Sequence, residues 1–364
     1  MSQFISVSSR LRRTPFSVGV EASGVKSYTV YNHMLLPTVF ESVESDCAHL
    51  KSAVQVWDVS AERQVELNGP DAAWLLQMAT PRNLGPMQDD QCYYVPLVAA
   101  DGRMLNDPVA VRLGPNRFWV SIADTDAMLY FKGLASALRL NVAVFEPDVS
   151  PMAIQGPLAD ELASRVWGDG VRSLRFFRHM PVNVGGKTMV LARSGWSKQG
   201  GFELYLDGAE HGMEIWEQLF DLGADLGVRA GCPNQIERIE GGLLSFGSDI
   251  TLYNTPFEAG LGRFVHDVPE CLANQALKGL RDAARQVRPL DLDGAPVPPL
   301  KEPWPMHVDG EYAGTLRSAA WSPEFGTNVA IGMVEAAYYV PGARITVRCP
   351  DGDREAVVRG AYWR

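Results

Sequence analysis

The stretch Arg193-Ser194-Gly195-Trp196-Ser197-Lys198-Gln199-Gly200-Gly201-Phe202-Glu203-Leu204-Tyr205 joins a glycine-rich loop to a carboxylate and a set of aromatic side chains. Glycines at 195, 200 and 201 permit positive φ and close backbone approach. The alternation that follows puts Glu203 and Tyr205 on one face of a predicted strand. A carboxylate there can accept two N–H donors from a flat polar ring. Equally, the run reads as a β-turn leading into an ordinary strand with one solvated glutamate, and these residues alone leave both readings open.

Working outward, the first half of the chain reads as mixed strand and helix. Val54, Val56 and Val59, then Val65 and Leu67, alternate with polar residues and predict short strands over 52–68. Gly69-Pro70-Asp71 ends that pattern, and Asp71 is the expected N-cap of a helix through Ala72–Met78. A meander is predicted from Cys92 to Ala123, with turns at Gly102 and at Gly114-Pro115-Asn116. Asp124 is expected to cap the helix that follows, through Phe131 to Leu140. A strand at Pro151–Gln155 precedes a helix from Pro157, so the strand–turn–helix plan of 64–78 echoes at 152–165 and predicts two similar units. An amphipathic helix is predicted around Met213, Trp216, Leu219 and Phe220. Residues 289–305 are proline-rich and predict a linker or extended crossover. Beyond them, short alternating runs between glycines predict a small β domain.

The chain has 364 residues, 46% of them hydrophobic, enough to bury a large core divided among two or three domains. Its 33 basic and 43 acidic residues give a net charge of −10, which argues against nucleic acid or an anionic membrane as partner. No run approaches the ~18 apolar residues of a membrane span, and Arg10-Leu11-Arg12-Arg13 is not followed by the apolar stretch of a targeting signal. A soluble cytoplasmic protein is therefore expected. The five cysteines are scattered without a C-x-x-C pair and are expected to be reduced and structural. The six histidines lack metal-ligand spacing, so no metal is expected.

The run at 193–205 resembles the Arg-Thr-Gly-Tyr-Thr-Gly-Glu-x-Gly-(Phe/Tyr)-Glu segment of the folate-dependent aminomethyltransferases, the T-protein family of the glycine cleavage system. Further segments agree in order: Trp57-Asp58-Val59-Ser60 with Val65–Ala72, Gly102 through Asn106-Asp107-Pro108-Val109, Arg238-Ile239-Glu240-Gly241-Gly242-Leu243, Thr255-Pro256-Phe257-Glu258-Ala259-Gly260-Leu261, and Gly314-Thr315-Leu316-Arg317-Ser318 near the end. Within that superfamily, Arg12-Arg13-Thr14-Pro15-Phe16, Tyr28–Pro37, Ala61-Glu62-Arg63-Gln64-Val65, Cys92-Tyr93-Tyr94 and Gly231-Cys232-Pro233-Asn234 are similar to the dimethylsulfoniopropionate demethylases. Departures from the aminomethyltransferase pattern cluster in loops: Ser60-Ala61-Glu62-Arg63 stands for Ser-His-Met, Trp196 for Tyr, and Ser197-Lys198-Gln199 for Thr-Gly-Glu.

The resemblance implies an α+β fold of three domains in a cloverleaf around a folate channel: 1–50 with 145–235, 51–144 with 236–285, and a C-terminal β domain at 286–364. It implies tetrahydrofolate as methyl acceptor and a small sulfonium substrate, with no metal, nucleic acid or membrane; a homodimer stays open. Glu203 corresponds to the family's pterin-binding glutamate, and Asp107 to its functional carboxylate, with Asn106 in place of a preceding acid. Tyr205 joins Asp107 as a catalytic candidate. Ser121, Trp196, Tyr94 and Arg238 are cofactor-binding candidates, and Tyr31, Trp196 and Lys198 are substrate-binding candidates. Lys198, Arg193 or Arg238 could meet a carboxylate, although Arg238 equally suits an ion pair beside Glu240. The implied reaction is demethylation of dimethylsulfoniopropionate to methylmercaptopropionate and 5-methyltetrahydrofolate. The alternatives are a glycine-cleavage aminomethyltransferase and a folate-binding assembly factor of the iron–sulfur type.

Overall fold

In the computed structural model, which describes residues 8–364, the chain builds two α+β units and a closed barrel. The first unit holds a six-stranded sheet in the order His179–Val184, Lys187–Ala192, Gly201–Asp207, Val149–Gln155, Gln55–Asp58, Arg229–Gly231. All neighbours are antiparallel except the last pair. The second unit holds a five-stranded sheet in the order Ala143–Phe145, Gln64–Asn68, Arg117–Ser121, Val109–Gly114, Cys92–Tyr94. Gln55–Asp58 lies in the six-stranded sheet, so the chain crosses between the units after Asp58, several residues beyond the boundary drawn at 50/51.

Alternation decides which faces are buried. Phe202, Leu204 and Leu206 pack with Met152, Ile154, Leu162, Ile215 and Trp216 in the core under the helices Ala159–Trp167 and Gly212–Leu222. The alternate residues Ala192 and Tyr205 face the other way, onto Cys92, Val111 and Trp119 of the second sheet. One face of the first sheet is thus turned toward a face of the second.

The predicted echo is real at the level of backbone. Gly69 ends the strand Gln64–Asn68 and Gly156 ends Val149–Gln155, with φ of +146° and +127°. A Cβ on Gly69 would lie 2.5 Å from the Asn141 carbonyl oxygen, and one on Gly156 2.3 Å from that of Ala53. Their carbonyls accept the Ala72 and Ala159 N–H groups, each at 3.0 Å, at the start of the two corresponding helices. Side-chain methyls have no room at either turn.

Two local expectations fail because a distant donor outcompetes the local one, and a third because a proline is tolerated in a barrel strand. Asp71 precedes the helix Ala72–Ala79 but makes no capping bond; its carboxylate accepts the Asn141 N–H at 2.6 Å. The helix expected to start at Asp124 begins at Ala127, and Asp124 accepts the Asn32 N–H at 2.8 Å. Pro289 lies inside the barrel strand Arg285–Leu292, not in a linker. It sits just before Leu290–Leu292, where pairing with Gly352–Val358 starts, so its missing N–H costs little there.

The barrel closes in the order Arg285–Leu292, Thr327–Glu335, Glu311–Ser322, Trp304–Val308, Arg344–Cys349, Gly352–Val358. Its interior is filled by Leu290, Trp304, Met306, Leu316, Val334 and Val347 among others. Val329, Ile331 and Met333 instead pack outward on Met104, Ile239, Phe246 and Ile250, which joins the barrel to the short helix Gln235–Gly241 and to the second unit. At this seam Arg238 is 3% exposed and its Nη1 is 2.8 Å from Asp249 Oδ2. Its Nη2 donates to Ser318 Oγ at 2.8 Å, and Ser318 donates to Asp249 Oδ1 at 2.6 Å.

Removing one partner of a buried ion pair strands the other charge. Asp249→Ala is therefore expected to lower unfolding free energy by about 3–5 kcal/mol, measured by urea denaturation, with the barrel and helix separating first under limited proteolysis.

Candidate functional site

Glu203 sits in the middle of Gly201–Asp207, opposite Ala153 on one side and Ala192 on the other. Its neighbours across both strand pairs carry only methyl side chains. Glu203 is 7% exposed and accepts a short hydrogen bond from the Ser194 hydroxyl. Burial raises its pKa, which the Ser194 hydrogen bond opposes. Two residues on, the Tyr205 hydroxyl is 3.3 Å from Ser121 Oγ, which donates to Gln64 Oε1 at 2.9 Å. Burial first, then the nearby Glu203 charge, pushes the Tyr205 phenol well above its ordinary range.

The glycine loop is held in place by two side chains, Gln155 and Glu237. Gly195 and Gly201 have φ of +142° and +141°, and Cβ atoms there would lie 2.0 Å from Gln155 Nε2 and from the Ile154 carbonyl oxygen. Gln155 is fully buried, donates to the Ser194 carbonyl at 3.1 Å and accepts from the Ser197 hydroxyl at 2.7 Å. Glu237 of the short helix takes the Lys198 N–H at 2.7 Å and the Gln199 amide at 3.0 Å.

From the second unit, Tyr94 donates its hydroxyl to Asp107 Oδ2 at 2.8 Å and packs edge-on to Phe264 at 5.5 Å. Burial raises Asp107 to about 7, against the opposing Tyr94 hydrogen bond. Asn106 does not join this pair; its amide clamps the 123–125 turn through the Ala123 carbonyl and Thr125 Oγ1. Tyr31 ends the first strand of the hairpin Ser27–Tyr31/Met34–Val39. The adjoining Asn32 is 4% exposed and donates to the Ala61, Ile122 and Ala123 carbonyls, so the hairpin tip is stapled to the second unit. Burial raises the Tyr31 phenol, with further contributions from Glu62 and Asp107.

The structure thus gathers Glu203, Tyr205, Ser121, Tyr94, Asp107 and Tyr31 at the facing sheets. Two of the three expected cations are committed elsewhere. Arg193 pairs with Asp160 at 2.9 Å. Arg238 is held by Asp249 and Ser318 and not by Glu240, and Trp196 lies 5.8 Å from its guanidinium carbon. Lys198 is exposed, its stem lying on Gly241, where a Cβ would come 2.5 Å from its Cγ. Two residues escape sequence reasoning. Gln155 carries no local signal, since its partners lie some forty residues away. Glu62 lies in the segment that departs from the aminomethyltransferase pattern; burial, then the charges of Glu203 and Asp107, raise its carboxyl to about 8.

Among the described residues no cluster of three or more His, Cys, Asp or Glu side chains could hold a metal ion, and all five cysteines are buried free thiols. No described helix is long and apolar enough to cross a membrane.

Asp107 binds its proton more tightly folded than unfolded, where a value near 4 is ordinary. Its ionisation therefore weakens the fold as pH rises from about 4 through about 7. Relative to the wild type, Asp107→Asn is expected to gain stability over that interval and to level off above it, read as urea midpoints against pH.

Residues 18–267 match the GCVT N-terminal domain, and residues 285–361 the glycine cleavage T-protein C-terminal barrel domain. The chain is 54% identical over 359 residues to dimethylsulfoniopropionate demethylase DmdA of Ruegeria pomeroyi, covering 98% of each chain. It is 24% identical over 344 residues to an aminomethyltransferase of Desulfitobacterium hafniense, covering 93% of each. The crystal structure of the glycine cleavage system aminomethyltransferase T from Bartonella henselae shares the fold, with a TM-score of 0.87 at 21% identity over 97% of this chain and 98% of the other. On the match of both domains and of a relative over nearly its whole length, the chain belongs to the glycine cleavage T-protein family.

Proposed function

We propose that the protein transfers a methyl group from dimethylsulfoniopropionate to tetrahydrofolate, releasing methylmercaptopropionate and 5-methyltetrahydrofolate. The observation that carries this reading is the near-full-length relation to a dimethylsulfoniopropionate demethylase, joined to a buried strand face on which Glu203 stands between two alanines. On this reading Glu203 accepts the pterin's 2-amino and ring N–H donors; charge-assisted paired bonding in a site closed to water is strong and directional. Ser194 fixes the carboxylate's orientation. Trp196, Tyr205 and Ser121 border the pterin.

The chemistry asks little of the protein beyond placement. The N5 lone pair forms the new C–N bond while the S–CH3 bond breaks, its electron pair returning to sulfur as a neutral thioether. The N5 proton then leaves. Alignment of such reactants is worth about 7–11 kcal/mol. Asp107, poised near neutrality and held by Tyr94, suits the acceptance of that proton. Tyr31 and Trp196 offer ring faces to the onium centre, each worth about 0.5–2 kcal/mol. A cytoplasmic enzyme without a metal completes the reading.

Glu203→Ala is expected to weaken tetrahydrofolate binding by about 1.5–3 kcal/mol with the fold retained; unchanged affinity by direct titration would remove the pterin assignment. The function itself is tested by mass detection of methyl transfer to tetrahydrofolate from three donors side by side. Dimethylsulfoniopropionate is expected to react, and the neutral thioether methylmercaptopropionate is not, since it would have to expel a thiolate. A dimethylsulfonium compound without the carboxylate reads anion recognition separately. Ammonia release from an aminomethyl-lipoyl protein, without methyl transfer from any donor, would overturn the reading in favour of an aminomethyltransferase.

A further inference from the structure

The backbone of the segment 60–64 is sutured from both sides. Asn32, next to Tyr31, donates to the Ala61 carbonyl at 3.0 Å. The Glu62 N–H closes a turn onto the Val59 carbonyl at 2.9 Å, and Gln64 accepts from Ser121, which touches Tyr205. Glu62 is thereby fixed between the hairpin tip and the Ser121–Tyr205 contact, at the centre of the gathered residues.

Its carboxylate differs from every other acid there. Glu203 is bonded by Ser194, Asp107 by Tyr94 and Glu237 by Lys198 and Gln199. The neighbouring cation gives Glu62 no help: Arg63 turns to Glu146, at 2.5 Å, and Arg12 joins it there at 2.7 Å. Among the described residues no hydrogen bond reaches the Glu62 carboxylate, and the charged or titratable groups that act with it are Glu203, Asp107, Tyr31 and Tyr205. Every one of them is acidic. A carboxylate carried on a fixed backbone, unpaired and among acidic groups, is a place for a cation that is not part of the protein.

We infer that Glu62 is the counter-charge for the donor's cationic sulfur, and that it sets the preference for an onium donor over a neutral one. The inference rests on the demethylase reading and adds to it the residue that recognises charge. The aromatic rings of Tyr31 and Trp196 add a modest attraction for the onium centre; a formal negative charge adds the larger discrimination between a charged and a neutral donor. In the aminomethyltransferase pattern Ser-His-Met occupies this segment, so an acid here changes which donors the site can hold without changing the pterin side. Without donor, burial and its acidic neighbours keep Glu62 largely protonated near neutrality. A sulfonium must displace that proton to bind.

The test compares two ligands of nearly the same shape: dimethylsulfoniopropionate and its uncharged carbon isostere 4-methylpentanoate, the latter measured as a competitive inhibitor. Glu62→Gln is expected to raise KM for the sulfonium roughly tenfold or more and to leave the isostere's inhibition and the tetrahydrofolate affinity unchanged. The wild-type KM for the sulfonium is expected to rise as pH falls below about 8, and this limb should flatten in the Gln variant. Glu62→Asp, which keeps the charge, is expected to retain the preference between the two ligands. It also serves as the informative variant should Gln fail to fold. Equal losses for both ligands in Glu62→Gln, an unchanged sulfonium KM, or loss of the preference in Glu62→Asp would overturn the inference. If the wild type transfers no methyl group, the demethylase reading fails first; if it does and the Gln variant matches it, only the role of Glu62 falls.

Discussion

The short helix Gln235–Gly241 carries three charged side chains into the interior, and each is tied to a different part of the chain. Glu237 holds the glycine loop through Lys198 and Gln199. Arg238 holds the barrel strand through Ser318 and the following loop through Asp249. Glu240 takes Lys51 at 2.6 Å and Ser322 at 2.7 Å, and the Arg364 guanidinium lies 3.4 Å away. Burying three charges in seven residues is expensive unless every one is matched. Here the matching partners come from both units and the barrel, so no part can shift without exposing an unpaired charge elsewhere. This mutual dependence, more than the apolar seam around Ile239 and Ile331, fixes how the three bodies meet.

The site inherits its geometry from that arrangement. Glu203 belongs to the first sheet, Asp107 and Ser121 to the second unit, and Tyr31 to the hairpin between them; no one of these elements could form the constellation alone. Because the acids are desolvated before any ligand arrives, all three carboxyls are pushed upward, Asp107 to about 7 and Glu62 to about 8. On the proposed reading this is useful: the donor brings the positive charge that the empty site lacks, and Asp107 is near enough to neutrality to take a proton after transfer. The strain of gathering like charges is then relieved by the donor and returns when a neutral thioether is left, which favours product release.

How much of this was readable in the sequence depends on the range of the interaction. The shared face of Glu203 and Tyr205 follows from a two-residue period, and the need for glycine at 195 and 201 follows from local backbone. The repeated strand–glycine–helix turns are local too. Their occupants are not: Gln155 fills the space that Gly195 and Gly201 leave, across some forty residues. Asp71 and Asp124 look like helix caps because a capping pattern is local, yet they serve backbone N–H groups on Asn141 and Asn32. The same limit misplaced Arg238 and Arg193 among the ligand-binding cations. A guanidinium available to a ligand and one committed to a buried aspartate read alike until Asp249 and Asp160 are seen beside them.

The segment 60–63 illustrates why a family can keep one frame and change what it accepts. What holds this segment is its main chain and the ends of the run: Ser60 donates its N–H and hydroxyl to Asp58, Asn32 grips the Ala61 carbonyl, and Gln64 reaches the Glu62 carbonyl. The Glu62 side chain takes part in none of these bonds, so no hydrogen bond of the frame depends on its identity. By contrast, a methyl group on Gly201 or a neutral residue at Arg238 would be felt throughout the core or the seam. Positions whose backbone is over-determined and whose side chain is free are where charge can be altered at little structural cost, and a buried site lined by such a position can exchange a neutral donor for a cationic one while its pterin face stays as it was.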